Sequence, residues 1–249
     1  MLKVPLHFTA EQDGSSVRLV CWDLDRNKIC DSWCEFEYST DGMKSWKDYP
    51  KEVNSEEAEI KLDNCENKTV YFKAKQGNVE GNPNLNGLGY YNEDYEAITK
   101  YHKFIMEGSI KADGNIQFLL ENTGTKIDVP EYCYYYMFSG CTSLTQAPEL
   151  PATTLATECY YYMFYGCTSL TQAPELPAET LTNNCYAGMF NGCAFLSSIN
   201  INFYNWNPNY STDSWLNIVS STGTFTCPAA LEEKRGEDYI PEGWTIVRK

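Results

Sequence analysis

Tyrosine is the residue type whose placement in this sequence could do chemistry. There are 19 in 249 residues, and Tyr134, Tyr135, Tyr136, Tyr160, Tyr161, Tyr162, Tyr165 and Tyr186 fall within one short stretch. A tyrosine ring offers a large, rigid contact area with a polar tip at low entropy cost. A cluster of them is therefore a candidate surface for a protein partner, and it can also stack on sugar rings. The same rings packed between chain segments would serve only the core. Glu149 and Glu175 are the other candidates, because paired carboxylates are what glycoside hydrolysis needs. Their identity follows from a sequence repeat, so a ladder of like side chains on a solvated face accounts for them without catalysis. His7 and His102 are the two histidines. No Gly-x-Ser-x-Gly, His-Glu-x-x-His or phosphate-cradling loop is present. No catalytic residue, cofactor or metal site is expected, and the chain reads as a non-enzyme.

Six of the eleven cysteines sit at two fixed repeat positions: Cys133, Cys159 and Cys185 at one, Cys141, Cys167 and Cys193 at the other. Cysteine behaves in cores as a small hydrophobe, so each set is expected to form a buried column of thiols. The spacing of eight within a unit differs from the close pairs of zinc sites. Cys30 and Cys34 have C-x₃-C spacing but lack a second close pair. A disulfide among Cys21, Cys30, Cys34 and Cys65 is open if the protein is exported.

The element that must position these residues is a tandem repeat. Residues 133–158 and 159–184 align without a gap and differ at only five of 26 positions, and a third, decayed copy, CYAGMFNGCAFLSSI, begins at Cys185. A fixed period of this length is the mark of stacked units that bury their apolar faces on each other. Cys133, Met137 and Cys141 lie at i, i+4, i+8, which predicts a short helix of about two turns, ended by a left-handed Gly140, Gly166 or Gly192. A short strand and a proline turn follow. The expected organisation is a leucine-rich-repeat domain over 107–249, with an N-terminal cap at 107–132, repeats at 133–196 and a C-terminal cap at 197–249. In that cap the charged run Glu232–Arg235 reads as a solvated helix face.

Before the repeats the pattern changes. Short alternating segments at Pro5–Ala10, Ser16–Trp22, Trp33–Ser39, Ala58–Leu62 and Thr69–Ala74 predict strands. They predict an immunoglobulin-like β-sandwich over 1–106, including a Gly- and Asn-rich linker at about 76–100. Tyr101–Met106 closes it. Asp23-Leu-Asp25-Arg-Asn27 imitates half of an EF-hand loop, but Lys28 stands where that loop needs glycine and Cys34 where it needs glutamate, so a polar hairpin turn is expected. The fold class expected overall is mixed α/β and all-β, a sandwich followed by a short solenoid.

The repeat, CYxxMFxGCTSLTxAPELPAxTL, resembles that of the BspA-like leucine-rich-repeat surface proteins of bacteria. The flanks GTFTCP, YIPEGWTI and GSIKADGNIQFLL, and the opening PLHFTAEQDGSSVRL, are similar to segments around such repeats. The resemblance implies export to the bacterial cell surface, often through a lipoprotein anchor, and adhesion to a host or neighbouring-cell surface protein or glycan. It carries over no site residue. An alternative is a carbohydrate-binding sandwich, with Trp22, Trp33 or Trp46 as platforms and the repeats as a stalk.

Charge narrows the partners. The formal net charge is −15, and no Lys or Arg occurs between Lys126 and Lys234, so nucleic acid is disfavoured. No run of about 18 apolar residues is present, so no transmembrane helix is expected, and the only membrane link expected is the lipid anchor that the resemblance implies. The opening MLKVPLHFTA lacks the charged-then-apolar pattern of a signal peptide. The sequence sets no oligomeric state.

Overall fold

A computed structural model describes residues 3–30, 34–51, 56–75, 85–86, 88–91, 98–121, 123–125, 127–206 and 210–249. Trp33 and most of the stretch at 76–100 lie outside these.

Period-2 alternation does produce strands near the N-terminus. β1 (Leu6–Ala10) buries Leu6, Phe8 and Ala10 and turns His7 and Thr9 outward. β2 (Ser16–Asp23) and β3 (Lys28–Cys30) form a hairpin whose turn is held by Asp23 Oδ1 accepting from the Arg26 N–H at 2.9 Å. That is the polar turn expected of the Asp23–Asn27 segment. Cys21 and Cys30 face each other across the hairpin and form the disulfide, with Cα atoms 5.3 Å apart. β4 (Phe36–Ser39), β5 (Lys47–Asp48), β6 (Ile60–Lys61), β7 (Thr69–Ala74), β8 (Leu85–Asn86), β9 (Gly89–Tyr91), β10 (Ile98–Glu107) and β11 (Ile110–Asp113) follow. One sheet orders β11-β1-β7-β4-β5 and the other β3-β2-β10-β9-β8, with β6 on β2. The two meet through aromatic packing: Phe104 of the second sheet lies 4.6 Å from Phe8 and 5.6 Å from Phe72 of the first, between ring centroids.

The first sheet does not end with the N-terminal region. β11 pairs antiparallel with β1 and parallel with β12 (Leu144–Gln146), the strand of the first repeat. The second sheet contributes too, since Phe104 N–H donates to Met137 O at 2.8 Å and its ring stacks on Phe138 at 5.3 Å. One apolar cluster runs from Leu6 to Trp244. A third sheet, β13 (Ser198–Asn200), β14 (Gly223–Cys227) and β15 (Trp244–Arg248), is parallel.

The fold class expected from the sequence is therefore corrected. The chain is nearly all β, with 33% of residues in strands, 6% in short helical turns and, among the described residues, no helix of seven residues or more. Among the described residues its several sheets make neither a closed barrel nor the leucine-rich-repeat solenoid that the repeat predicted.

The missing helices have a specific cause. From Tyr134 to Gly140 every second N–H leaves its own segment: Tyr134, Tyr136, Phe138 and Gly140 donate to the carbonyls of Cys159, Tyr161, Met163 and Tyr165. The N–H groups between them close i→i−3 turns. Every fourth residue is left-handed: Tyr132, Tyr136 and Gly140 in the first copy, Glu158, Tyr162 and Gly166 in the second, Asn184, Gly188 and Gly192 in the third. A left-handed residue every four positions rules out an α-helix. Its cost, about 1–2 kcal/mol for a non-glycine residue, is offset by the bonds to the next tier. Burial then recurs every four residues, at 133, 134, 137, 138 and 141, which over nine residues mimics a helical period.

The tiers continue beyond the visible repeats. Tyr186, Gly188, Phe190 and Gly192 donate to the carbonyls of Ser211, Asp213, Trp215 and Asn217, and Tyr210, Ser214 and Ile218 are left-handed in turn. Residues 210–218 thus form a fourth tier within what the sequence presents as an irregular cap. Asp238 Oδ1 accepts from the Ser214 N–H at 2.8 Å, where a fifth tier's carbonyl would otherwise sit. The run Glu232–Arg235 is not helical; Arg235 instead donates to Pro241 O and Trp244 O.

Candidate binding surface

The turn ladder decides which tyrosines can meet a partner. All three copies place their first tyrosine inward and the first two place the next two outward, because the period of four turns adjacent pairs to opposite sides. Tyr134, Tyr160 and Tyr186 are buried, at 0%, 1% and 1% exposure. They stack through the core at 5.6 and 5.9 Å between centroids. Tyr134 donates to Gln117 Oε1 at 2.6 Å, whereas the Tyr160 hydroxyl and Gln117 Nε2 have no hydrogen-bond partner. These three tyrosines belong to the core and not to a surface.

Tyr135, Tyr136, Tyr161 and Tyr162 are half-buried, and Tyr165 is 43% exposed. Tyr135 stacks on Tyr161 at 5.0 Å and 9° between planes, and Tyr136 on Tyr162 at 5.2 Å and 5°. Tyr165 adjoins Tyr162 at 5.4 Å, and Tyr132 adjoins Tyr135 at 6.2 Å. The step begins on the buried Tyr101 of β10, whose ring lies 5.7 and 5.5 Å from Tyr135 and Tyr136. It ends at Gly188: a Cβ there would come within 2.5 Å of the Tyr162 ring, so glycine is what lets that ring lie over the third tier. Ala187 and Gly188 stand where the earlier copies carry tyrosine.

Burial raises the phenol pKa values of Tyr135, Tyr136 and Tyr161. These phenols are therefore protonated and present hydroxyls. Glu158 lies among these groups with its carboxyl pKa raised by burial, and it accepts from Asn184 Nδ2 at 3.2 Å. Charge repels no neutral partner here, and no cation is available in 127–233 to attract a polyanion.

The cysteine columns lie behind this face. All six are buried. The thiols of Cys141, Cys167 and Cys193 donate to Phe104 O, Phe138 O and Phe164 O at 3.2, 3.1 and 3.1 Å, the first reaching β10 and the other two the preceding tier. Burial raises the Cys141 and Cys193 thiols to pKa values of about 12, which favours the protonated thiol over the thiolate.

The candidate sugar platforms differ from this arrangement. Trp46 has the Lys73 ammonium 4.2 Å above its ring and Trp22 has Lys103 at 5.7 Å, so each ring engages a cation of its own chain. Glu149 and Glu175, the paired carboxylates, are both exposed and border a groove of about 820 Å³ on the strand side of the repeats.

Comparison with known proteins finds no matching family model. It also finds no matching curated sequence and no matching solved structure.

Proposed function

We infer that this chain is a non-enzymatic binding protein that holds a neutral macromolecular partner, protein or glycan, on its tyrosine face. The observation that carries the reading is the pair of parallel tyrosine stacks, Tyr135 on Tyr161 and Tyr136 on Tyr162, half-open to solvent and continued by the exposed Tyr165. Stacked rings are immobilised before a partner arrives, so little side-chain entropy is lost on binding. Their hydroxyls supply the directional contacts of a wet interface. A setting at the bacterial cell surface is the location that the repeat's resemblance implies, and an extracellular disulfide such as Cys21–Cys30 accords with an oxidising compartment.

The test is surface plasmon resonance of the intact chain against extracellular-matrix proteins, together with a glycan array. Saturable binding that falls at least tenfold in the Tyr136→Ser/Tyr162→Ser variant is the expected result. The same affinity in wild type and in this variant, with both folded by circular dichroism, would remove the tyrosine face from the function.

A further inference from the structure

We propose that the groove between the two tandem copies is a second binding site, independent of the tyrosine face, and that it takes an extended, basic polypeptide segment as an added strand. The groove runs over 145–151 and 171–177 and reaches Lys111 and Asp113 of β11; its two main walls are parts of two identical segments, SLTQAPELPA at 143–152 and 169–178. Identical segments offer the same backbone groups to the tier that follows. In the second copy those groups are used: Ala173 N–H donates to Ser198 O at 2.9 Å and Leu176 N–H to Asn200 O at 3.0 Å. Moved back by the repeat of 26 residues, the same bonds would join Ala147 N–H to Gln172 O and Leu150 N–H to Pro174 O.

Neither bond is formed, and no backbone hydrogen bond joins the two segments. The first copy is tied instead to the sheet before it, through β11 and through Glu149 N–H donating to Gly114 O. The second is tied to the tier after it, through the bridges Gln172–Ser198 and Leu176–Ile201. On the opposite, turn side the same two copies are bonded at every second residue. The tiers are thus closed on one side and open on the other. The residues that carry these two donors and two acceptors, Ala147, Leu150, Gln172 and Pro174, all line a space of about 820 Å³, within the range of ordinary ligand sites.

Backbone groups in this state call for partners. An extended peptide supplies N–H and C=O groups at strand spacing, which is how strand addition gives affinity. The rim sets the charge. Glu149, Glu175 and Asp113 are exposed there. Lys111, the one cation among the described residues that line the groove, is paired with Glu11 at 2.9 Å. A lysine or arginine on the incoming strand complements the carboxylates. None of the described lining residues is aromatic, so these residues offer a sugar ring no stacking platform.

The test uses the intact protein and a panel of eight-residue peptides alternating lysine with threonine or valine, against their backbone N-methylated forms and against cellohexaose. Amide exchange at Ala147 and Leu150, followed by NMR, reports on the donors themselves. At least one unmethylated peptide is expected to slow exchange at both positions tenfold or more, and its methylated form to have no effect. The Glu149→Gln/Glu175→Gln variant, altered only at exposed side chains, is expected to weaken that peptide about tenfold. Protection by cellohexaose instead, equal protection by methylated peptides, or no protection by any peptide would each overturn the proposal. The tyrosine residues are unchanged throughout, so the outcome is independent of the reading given for that face.

Discussion

At the scale of single residues, identical positions in successive copies do different work. Tyr134 and Tyr160 occupy one repeat position and stack on each other, yet only Tyr134 finds an acceptor, Gln117 Oε1. Removing a hydrogen-bonding hydroxyl leaves its partner unsatisfied, whereas removing an orphaned one relieves a desolvation cost. Tyr134→Phe is therefore expected to lower stability by about 1–2 kcal/mol, and Tyr160→Phe to leave it unchanged or raise it by about 1 kcal/mol. Urea unfolding of the two variants checks this, and an equal loss in both would show that the two hydroxyls are equivalent. Cys193 makes a similar case. Its thiol is buried and bonded one tier back to Phe164 O. Cys193→Gln buries a larger polar group without room or partners and should cost roughly 2–4 kcal/mol; an unchanged unfolding midpoint would contradict the packed column.

At the scale of elements, the turn ladder rests on left-handed positions that glycine fills only in part. Gly140 and Gly188 are both left-handed, but a Cβ at Gly140 meets nothing within 4 Å while one at Gly188 meets the Tyr162 ring at 2.5 Å. Gly140→Ala should cost about 1 kcal/mol from backbone strain alone. Gly188→Ala should cost at least about 1 kcal/mol more, because it also displaces the ring. Tyrosine fluorescence should change in the second variant only. In the second sheet, His102 of β10 is 1% exposed, and its Nδ1 lies 3.1 Å from Leu88 O. Burial lowers its pKa from 6.5 to about 4, against the smaller opposing effect of that hydrogen bond. The unfolded chain then takes up the proton first as pH falls. The stabilisation from neutral His102 is complete above pH 6.5 and is lost progressively down to about pH 4, roughly 3 kcal/mol in all. His102→Leu should flatten the decline of stability across that window, as read from denaturant unfolding at a series of pH values.

At the scale of the whole molecule, the join between the two parts is itself core. Phe138 of the first tier packs on Phe104 at 5.3 Å, on Phe8 at 6.3 Å and on Phe164 at 5.3 Å. It thus touches both N-terminal sheets and the second copy. Glu11 adds a polar tie, since its carboxylate accepts from Thr145 and Ser109 and pairs with Lys111; these bonds, that from Thr145 foremost, hold its pKa near 2. Phe138→Ala should cost about 3–5 kcal/mol and should lower one shared thermal transition for the entire chain. Two separate transitions, or a cooperative transition in a fragment of residues 1–106 alone, would show that the parts fold independently.

What could be read from the sequence follows from period and alternation. The strands near Leu6, Ser16 and Thr69, the 26-residue repeat, the buried cysteine positions and the left-handed Gly140, Gly166 and Gly192 all rest on local rules, and the structure has them. The sequence could not separate a helix from a turn ladder, because burial every four residues and every 3.6 residues look alike over nine positions. It did not show the fourth tier either. The bonds that define residues 210–218 run between backbones, which keep their geometry after the side chains have diverged. Among the eight tyrosines, the type and spacing were visible, but the division into a core set and a surface set came from how neighbouring copies stack. The open side of the tandem copies was the least legible of all. Two identical segments carry identical bonding groups, and only the tertiary arrangement, with one copy tied back to β11 and the other forward to β13, leaves a groove between them.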